Sequence, residues 1–300
     1  MLEKHLNARG PFSRITHHGD MGAIDLMLNL AALLLWFNWR SLAMDPLALS
    51  PPTTLIGTLR RAEPRRTSRW PLLAGIVGLL FVRAVLYWQV GPAANWTPSL
   101  KLGAITLSFR HDFFARALTF SGLSFVFTLV VFYGWLLLLS LVNCKVPDSE
   151  PLQKLTRLHL GWLERWPWVF RLLGPLLFTS LLWLALASLF VRWQVIPRPT
   201  SSLHRLEQAG AIGLGVYLSW KYLIVTMLVI YLINSYVYLG SHPLWNFITV
   251  TGRNLLTPLR FLPLRLGKVD FSPILAITLV VVLWQLAGRG LTNLYERLPL

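Results

Sequence analysis

Long apolar runs separated by short polar loops dominate the chain. The runs approach the roughly 20 residues that a helix needs to cross a bilayer. Backbone polar groups inside lipid must be satisfied within the segment, which favours helices. The pattern predicts an all-α polytopic membrane protein with about six transmembrane helices. They lie near residues 22–44, 71–90, 114–142, 169–191, 209–239 and 272–295.

A proline pattern accompanies the apolar runs and occurs three times. Each copy has an apolar run, a Pro-Leu step into a basic loop, and a second proline that opens another apolar run. Such repetition identifies the building unit, here a membrane helical hairpin. The first prolines are Pro46, Pro151 and Pro243, and the second are Pro71, Pro175 and Pro273. The predicted division is a polar N-terminal tail at 1–21 and hairpin repeats at 22–112, 113–208 and 209–300.

The loops of the second and third repeats are predicted to form amphipathic helices. Their apolar residues fall mostly three or four apart with polar residues between them, which suits a helix in the headgroup layer. The apolar positions of the second loop are Leu152, Leu155, Leu158, Trp162, Leu163 and Trp166, and the third loop repeats the pattern from Leu244 to Leu256. A different segment, Lys101 to Phe109, mixes apolar and small polar residues and indicates a short extended or re-entrant piece.

Composition and charge agree with a membrane location. The 300 residues are 55% hydrophobic and 13% charged, whereas soluble domains carry roughly 25% charged residues. The net charge is +16, and most basic residues lie in loops, which suits anionic lipid headgroups rather than nucleic acid. Segments that follow odd-numbered spans are richer in Lys and Arg, which predicts repeat loops inside and both termini outside.

Two cations interrupt the apolar runs. Arg83 lies in the second run and Lys221 in the fifth, and Asp25 is the one acid near such a position. Snorkelling of both side chains toward an interface is the favoured interpretation. The alternative is a functional intramembrane charge.

Motifs for catalysis or metal binding are not found. The chain lacks GxSxG, HExxH and phosphate-cradling glycine loops, which would carry hydrolytic, zinc or nucleotide chemistry. Its single cysteine, Cys144, excludes a disulfide framework. We therefore expect no catalytic residue, no metal and no cofactor. Haem ligation by His159 or His242 is the alternative that the basic loops leave open.

The third repeat loop has the densest motif. Its prolines stop a helix from running through it, and Gly267 permits a tight turn. Asp270 or Ser272 can cap the last helix, with Pro273 near its first turn. We predict that this loop binds a partner or lipid. The candidate residues are Pro258, Arg260, Pro263, Arg265, Gly267, Lys268, Asp270, Ser272 and Pro273.

This loop resembles the signature of the YggT family of small membrane proteins. The resemblance is strong over 209–295 and weaker over 114–191, and the chain has His242 where the family tends to have Asn. It implies a non-enzymatic inner-membrane or thylakoid protein. Family members have been associated with assembly of cytochrome complexes, with nucleoid or division organisation, and with osmotic tolerance. The matching residues are Pro243, Pro258, Arg260, Leu262, Pro263, Gly267, Asp270, Ser272 and Pro273.

The sequence therefore predicts a multi-pass protein of the cell inner membrane that is not an enzyme. The preferred function is a scaffold or assembly factor that contacts anionic headgroups, and a membrane protein complex, through basic interfacial loops. The alternative is an oligomeric channel or transporter for ions or osmolytes, in which Arg83 or Lys221 would line the path.

Overall fold

The described part of the chain is mostly α-helical in the computed structural model. The structure describes residues 11–43, 69–93, 96–103, 105–109, 113–146, 151–193, 195–196, 201–237, 240, 242–259, 265–266 and 269–297. The helices are α1 (Pro11–Ala43), α2 (Trp70–Ala93), α3 (Phe114–Val142), α4 (Pro151–Leu160), α5 (Trp168–Arg192), α6 (Ser202–Tyr217), α7 (Trp220–Tyr236), α8 (Pro243–Leu255) and α9 (Ser272–Arg297). The strands are β1 (Ser99–Leu102), β2 (Ile105–Ser108), β3 (Arg265–Leu266) and β4 (Val269–Asp270).

Six membrane spans are confirmed among the described residues. By length and apolar composition they are Gly22–Leu42, Trp70–Pro92, Phe114–Val142, Trp168–Arg192, Ser202–Tyr236 and Ser272–Tyr295. Large apolar side chains such as Met27, Leu34 and Leu181 are exposed on the outside of the helices, where lipid replaces water as solvent. The protein is an all-α polytopic membrane protein. The helix α1 also reaches back to Pro11, into the predicted polar tail.

The chain forms two compact units. The first comprises Met1–Ser99 and Ser108–Thr128, and the second comprises Leu100–Leu107 and Leu129–Leu300. The predicted boundary between the second and third hairpins falls inside α6. The threefold repeat and its division into hairpins stay predictions.

In the first unit, α1 packs against α2. The Ser121 hydroxyl of α3 donates to the Leu80 carbonyl of α2 over 2.8 Å, which ties the third span to the second. The small residues Ala74 and Gly78 of α2 are exposed, and no atom of the described residues lies within 4 Å of a Cβ placed on Gly78. Gly78 therefore makes no close helix contact among the described residues.

In the second unit, small residues do bring α5 and α6 together. A Cβ on Gly213 would lie 2.9 Å from the Leu176 carbonyl oxygen, so the two helices approach too closely there for a larger side chain. The Ser180 hydroxyl donates to the Ala209 carbonyl over 2.9 Å, and the Tyr217 hydroxyl donates to the Leu172 carbonyl. Helices α5 and α6 are therefore closely packed at the start of the fifth span.

The segment after the second span is a two-stranded hairpin of β1 and β2. Leu100, Ile105 and Leu107 of this hairpin are buried, which confirms the extended segment that the sequence indicates. Gly103 at the turn has φ +67°, a conformation that costs glycine little. A Cβ on Gly103 would lie 2.5 Å from the Gly215 Cα, so the turn sits directly on α6.

The fifth span is interrupted at its middle. The N–H groups of Leu218 and Ser219 donate to carbonyls three residues back, at 3.1 and 2.9 Å, a tightened turn that separates α6 from α7. The Trp135 indole N–H of α3 donates to the Ser219 carbonyl over 3.1 Å. Because lipid offers no hydrogen-bond donor to this backbone group, the indole stabilises the break. The sequence predicted one continuous run here.

The amphipathic helices predicted in the loops are present as α4 and α8. In α4 the buried side chains are Gln153, Thr156, His159 and Leu160, whereas Leu155 and Leu158 are exposed. The helix therefore turns its polar side to the protein and its apolar side outward, the reverse of a helix on a water-soluble domain. This agrees with a location in the headgroup layer.

A buried amide joins these two helices to the end of α3. Asn143 is 1% exposed; its Nδ2 donates to the Thr251 hydroxyl over 2.8 Å, and its Oδ1 accepts from Asn254 Nδ2 at 2.9 Å. Gln153 Nε2 donates to the Asn143 backbone carbonyl over 3.4 Å. Helices α4 and α8 also contact each other. The loops of the second and third predicted repeats thus form one layer.

Candidate functional site

The strongest concentration of polar chemistry inside the described spans lies around Arg83 in the first unit. Asp25 and Asn29 are four residues apart on α1, and Arg83 and Tyr87 are four residues apart on α2. Residues at this spacing share one face of a helix. Because α1 packs against α2, the two polar pairs meet.

The Arg83 guanidinium is the centre of this cluster. It forms an ion pair with the Asp25 carboxylate, donates from Nη1 to Asn29 Oδ1 over 2.8 Å, and donates from Nε to the Tyr87 hydroxyl over 3.1 Å. The Tyr87 hydroxyl in turn donates to Asp25 Oδ1 over 2.6 Å. One positive and one negative charge therefore neutralise each other, and both hydrogen-bond to neutral partners.

Aromatic residues and α3 enclose the cluster. The Arg83 Cζ lies 5.6 Å from the centroid of the Phe120 ring, within the range of a cation–π interaction. Asn29 Nδ2 donates to the Ser124 hydroxyl over 3.0 Å. The Trp96 ring centroid lies 4.9 Å from that of Tyr87. Three helices are thus joined through one buried charge.

The favoured interpretation of Arg83, snorkelling to an interface, is wrong. Arg83 is 1% exposed, and its guanidinium bonds to Asp25, Asn29 and Tyr87 inside the fold. Asn29, Tyr87 and Ser124 were missed by sequence reasoning. Two of them could have been found from the sequence, because Asn29 lies four residues after Asp25 and Tyr87 lies four residues after Arg83, which places each pair on one helix face.

Lys221, in the second unit, has a different environment. Its Nζ lies 4.9 Å from the centroid of the Tyr222 ring and 5.1 Å from that of Trp284, so two aromatic faces flank the ammonium group. The ion pairs found among the described residues give Lys221 no carboxylate partner. It lies directly after the break in the fifth span and is partly exposed.

An apolar groove of about 480 Å³ lies beside Lys221, between α6 and α9. Trp284 lines the groove and also contacts Lys221. Along α9 the groove is lined in part by Ala287 and Gly290, whose small side chains leave its surface open. Other lining residues are Leu214, Tyr217, Leu218 and Leu294.

Only part of the predicted third-loop site lies in the described residues. Pro258 is exposed in a short 3₁₀ turn, Thr257–Leu259. Arg265 and Asp270 are register partners in the antiparallel β3–β4 pair. Ser272 begins α9 and Pro273 lies in its first turn, where it was predicted. The cap by Asp270 or Ser272 stays a prediction. Arg260, Pro263, Gly267 and Lys268 lie outside the described residues.

His242 caps the start of α8. The His242 Nδ1 accepts a hydrogen bond from the Leu244 N–H over 3.3 Å at the start of α8. An asparagine side chain is among the preferred groups for this N-cap position. Histidine therefore provides the acceptor that asparagine would provide.

Among the residues that the structure describes, no group of three or more His, Cys, Asp or Glu side chains is placed to hold a metal ion. Comparison of the chain with protein-family models, with curated proteins and with solved structures gives no match. The resemblance to the YggT family thus stays a prediction from the motif of the third loop.

Proposed function

We propose that the chain is a non-catalytic integral membrane protein, in the inner membrane of the cell, that acts as a scaffold or assembly factor for a membrane complex. Its basic interfacial loops contact anionic headgroups and a protein partner. The YggT-like motif of the third loop supports this function, since members of that family are associated with assembly rather than with catalysis.

The observation that carries the proposal is the ion pair between the buried Arg83 and Asp25. An ion path needs polar groups that face water or a moving ion. The Arg83 guanidinium instead bonds to Asp25, Asn29 and Tyr87 within the fold. Its geometry supports a role in fixing helices, which is what a rigid scaffold requires.

The layer of α4 and α8 supports the same function. Lys154, Arg165 and Arg253 are exposed on these two loops, and the contact between α4 and α8 brings the loops together. Each basic residue near an anionic membrane surface contributes about 1 kcal/mol of attraction. The layer therefore offers a basic surface to lipid headgroups or to an acidic partner.

The test removes two charges of the third loop. The double substitution Arg260→Ala and Arg265→Ala is expected to lower the recovery of crosslinked partner from native membranes by more than about tenfold, since it removes roughly 2 kcal/mol of attraction. Recovery is measured by a pull-down of the full chain followed by quantitative mass spectrometry of protein and lipid.

The matched control is Arg192→Ala with Arg205→Ala, which removes two exposed arginines at helix ends away from the third loop. Partner recovery is expected to stay at the wild-type level in this control. The proposal fails if the Arg260 and Arg265 variant recovers as much partner as the control does.

A second candidate function, transport of ions or osmolytes, is favoured by the break between α6 and α7. Interrupted spans form the substrate sites of many transporters. The Ser219 carbonyl at this break is already bonded to Trp135, which leaves that group less available to a substrate. Purified protein in liposomes is expected to give no more potassium or glycine betaine flux than empty vesicles do. Flux that rises with protein content and falls in Lys221→Met would establish transport instead.

A further inference from the structure

The chain treats the cations Arg83 and Lys221 in opposite ways. Arg83 is buried and paired with Asp25, whereas no carboxylate of the described residues pairs with Lys221. An unpaired charge near the middle of a span is costly, and such residues usually pair with another group in the bundle. The two aromatic rings beside Lys221 supply only part of that stabilisation.

The groove beside Lys221 has the dimensions for a helix. On α9 its lining extends from Val280 to Leu294, which at 1.5 Å per residue is roughly 21 Å along the helix axis. Ala287 and Gly290 lie within this length, and no described atom is within 4 Å of a Cβ placed on Gly290. Small residues of this kind permit close approach of a second helix backbone.

We propose that the groove between α6 and α9 is the docking site for a transmembrane helix of another protein, and that this helix carries an Asp or Glu at mid-membrane depth that pairs with Lys221. The inference rests on the proposed scaffold function and names the chemistry of its partner.

The charge of Lys221 and its position along the span favour a transmembrane helix with an acidic residue as the occupant of the groove. Lys221 and Trp284 both lie near the middle of their spans, about half of the roughly 30 Å hydrocarbon thickness from either surface. A lipid headgroup stays at the surface, so a phospholipid would fill the groove without reaching the ammonium group. A second copy of the chain would have to present an acid at the same depth, and the acids of the described spans, Asp25 and Glu207, lie within five residues of the starts of their spans.

The experiment uses the full-length protein in phosphatidylcholine vesicles with a synthetic transmembrane peptide. The peptide is a Leu-Ala helix of about 21 residues with a single central Glu, and a second peptide has Gln at the same position. Association is measured by energy transfer between a donor on the protein and an acceptor on the peptide. The Glu peptide is expected to associate about tenfold more strongly than the Gln peptide, the strength typical of a polar contact between membrane helices.

Two variants locate the contact. Lys221→Met is expected to abolish the preference for the Glu peptide and to leave the weak binding of the Gln peptide unchanged. Ala287→Trp, which fills the groove, is expected to lower the binding of both peptides. Arg205→Met, an exposed cation outside the groove, is the control and is expected to retain the preference.

Three results would overturn the inference. They are equal binding of the two peptides to the wild type, a Glu preference that survives Lys221→Met, and energy transfer between two labelled copies of the chain that Ala287→Trp abolishes. Because the peptide assay contains no native partner, its failure leaves the loop test with Arg260 and Arg265 unaffected. Conversely, the loop variant could recover as much partner as its control while the wild type still prefers the Glu peptide. That result would contradict the proposed role of the basic loops and would leave the groove proposal standing.

Discussion

Replacing Asp25 with alanine is expected to lower the free energy of unfolding by about 3 kcal/mol, because it leaves the Arg83 guanidinium buried without a counter-charge. Arg83 is 1% exposed and the Asp25 side chain is 22% exposed, which places the cost at the lower end of the range for broken buried pairs. The Asn29 and Tyr87 bonds would remain, but neither neutralises a charge.

A double-mutant cycle separates the pair from its surroundings. Asp25→Leu with Arg83→Met removes both charges and is expected to recover most of the lost stability, since apolar residues of similar volume often replace a buried pair at little cost. Asn29→Ala serves as the neutral comparison, with an expected loss of about 1 kcal/mol. Unfolding is followed by circular dichroism as detergent-solubilised protein is titrated with sodium dodecyl sulfate. Equal losses for Asp25→Ala and Asn29→Ala would show that the charge pair contributes nothing beyond an ordinary hydrogen bond.

Replacing Gly103 with alanine is expected to destabilise the second unit by about 3 kcal/mol. A positive φ costs a residue with a Cβ roughly 1 to 2 kcal/mol, and Gly103 has φ +67°. The new Cβ would also lie 2.5 Å from the Gly215 Cα. Because the Gly215 Cα belongs to the backbone and cannot rotate away, overpacking adds about 1 to 3 kcal/mol to the conformational cost of the substitution.

Gly240 provides the matched control for this substitution. It too has a positive φ, +101°, but no described atom lies within 4 Å of a Cβ placed there. Gly240→Ala is therefore expected to cost only the conformational part, about 1 kcal/mol. The same denaturant titration measures both variants. A Gly103→Ala loss no larger than that of Gly240→Ala would contradict the close approach of the β1–β2 turn to α6.

The six spans could be predicted from the sequence because span length and apolar composition are properties of single segments. The break between α6 and α7 could not, because Leu218 and Ser219 at the break are neither proline nor glycine and the run around them is apolar enough to form one span. The bond from Trp135 to the Ser219 carbonyl, which stabilises the break, comes from a distant segment. Propensity gives no sign of such a partner.

The Arg83 cluster illustrates the same limit at the candidate site. The sequence identified Arg83 as an intramembrane charge and Asp25 as the nearest acid. Whether the two side chains meet depends on the rotation of α1 against α2, which apolar periodicity does not determine when a helix is apolar all round. Snorkelling was therefore the cheaper interpretation until tertiary packing was known.

Helix α4 places a condition on any water-soluble redesign of this chain. Polar substitutions confined to the six spans would leave Leu155 and Leu158 of this helix, and Trp162 in the turn after it, exposed to water. Replacing the polar residues of α4 with apolar ones would also destabilise the fold, because Gln153 and Thr156 are buried against the protein. A water-soluble variant therefore needs polar substitutions at the exposed leucines of α4 as well as on the lipid-facing surface of the six spans.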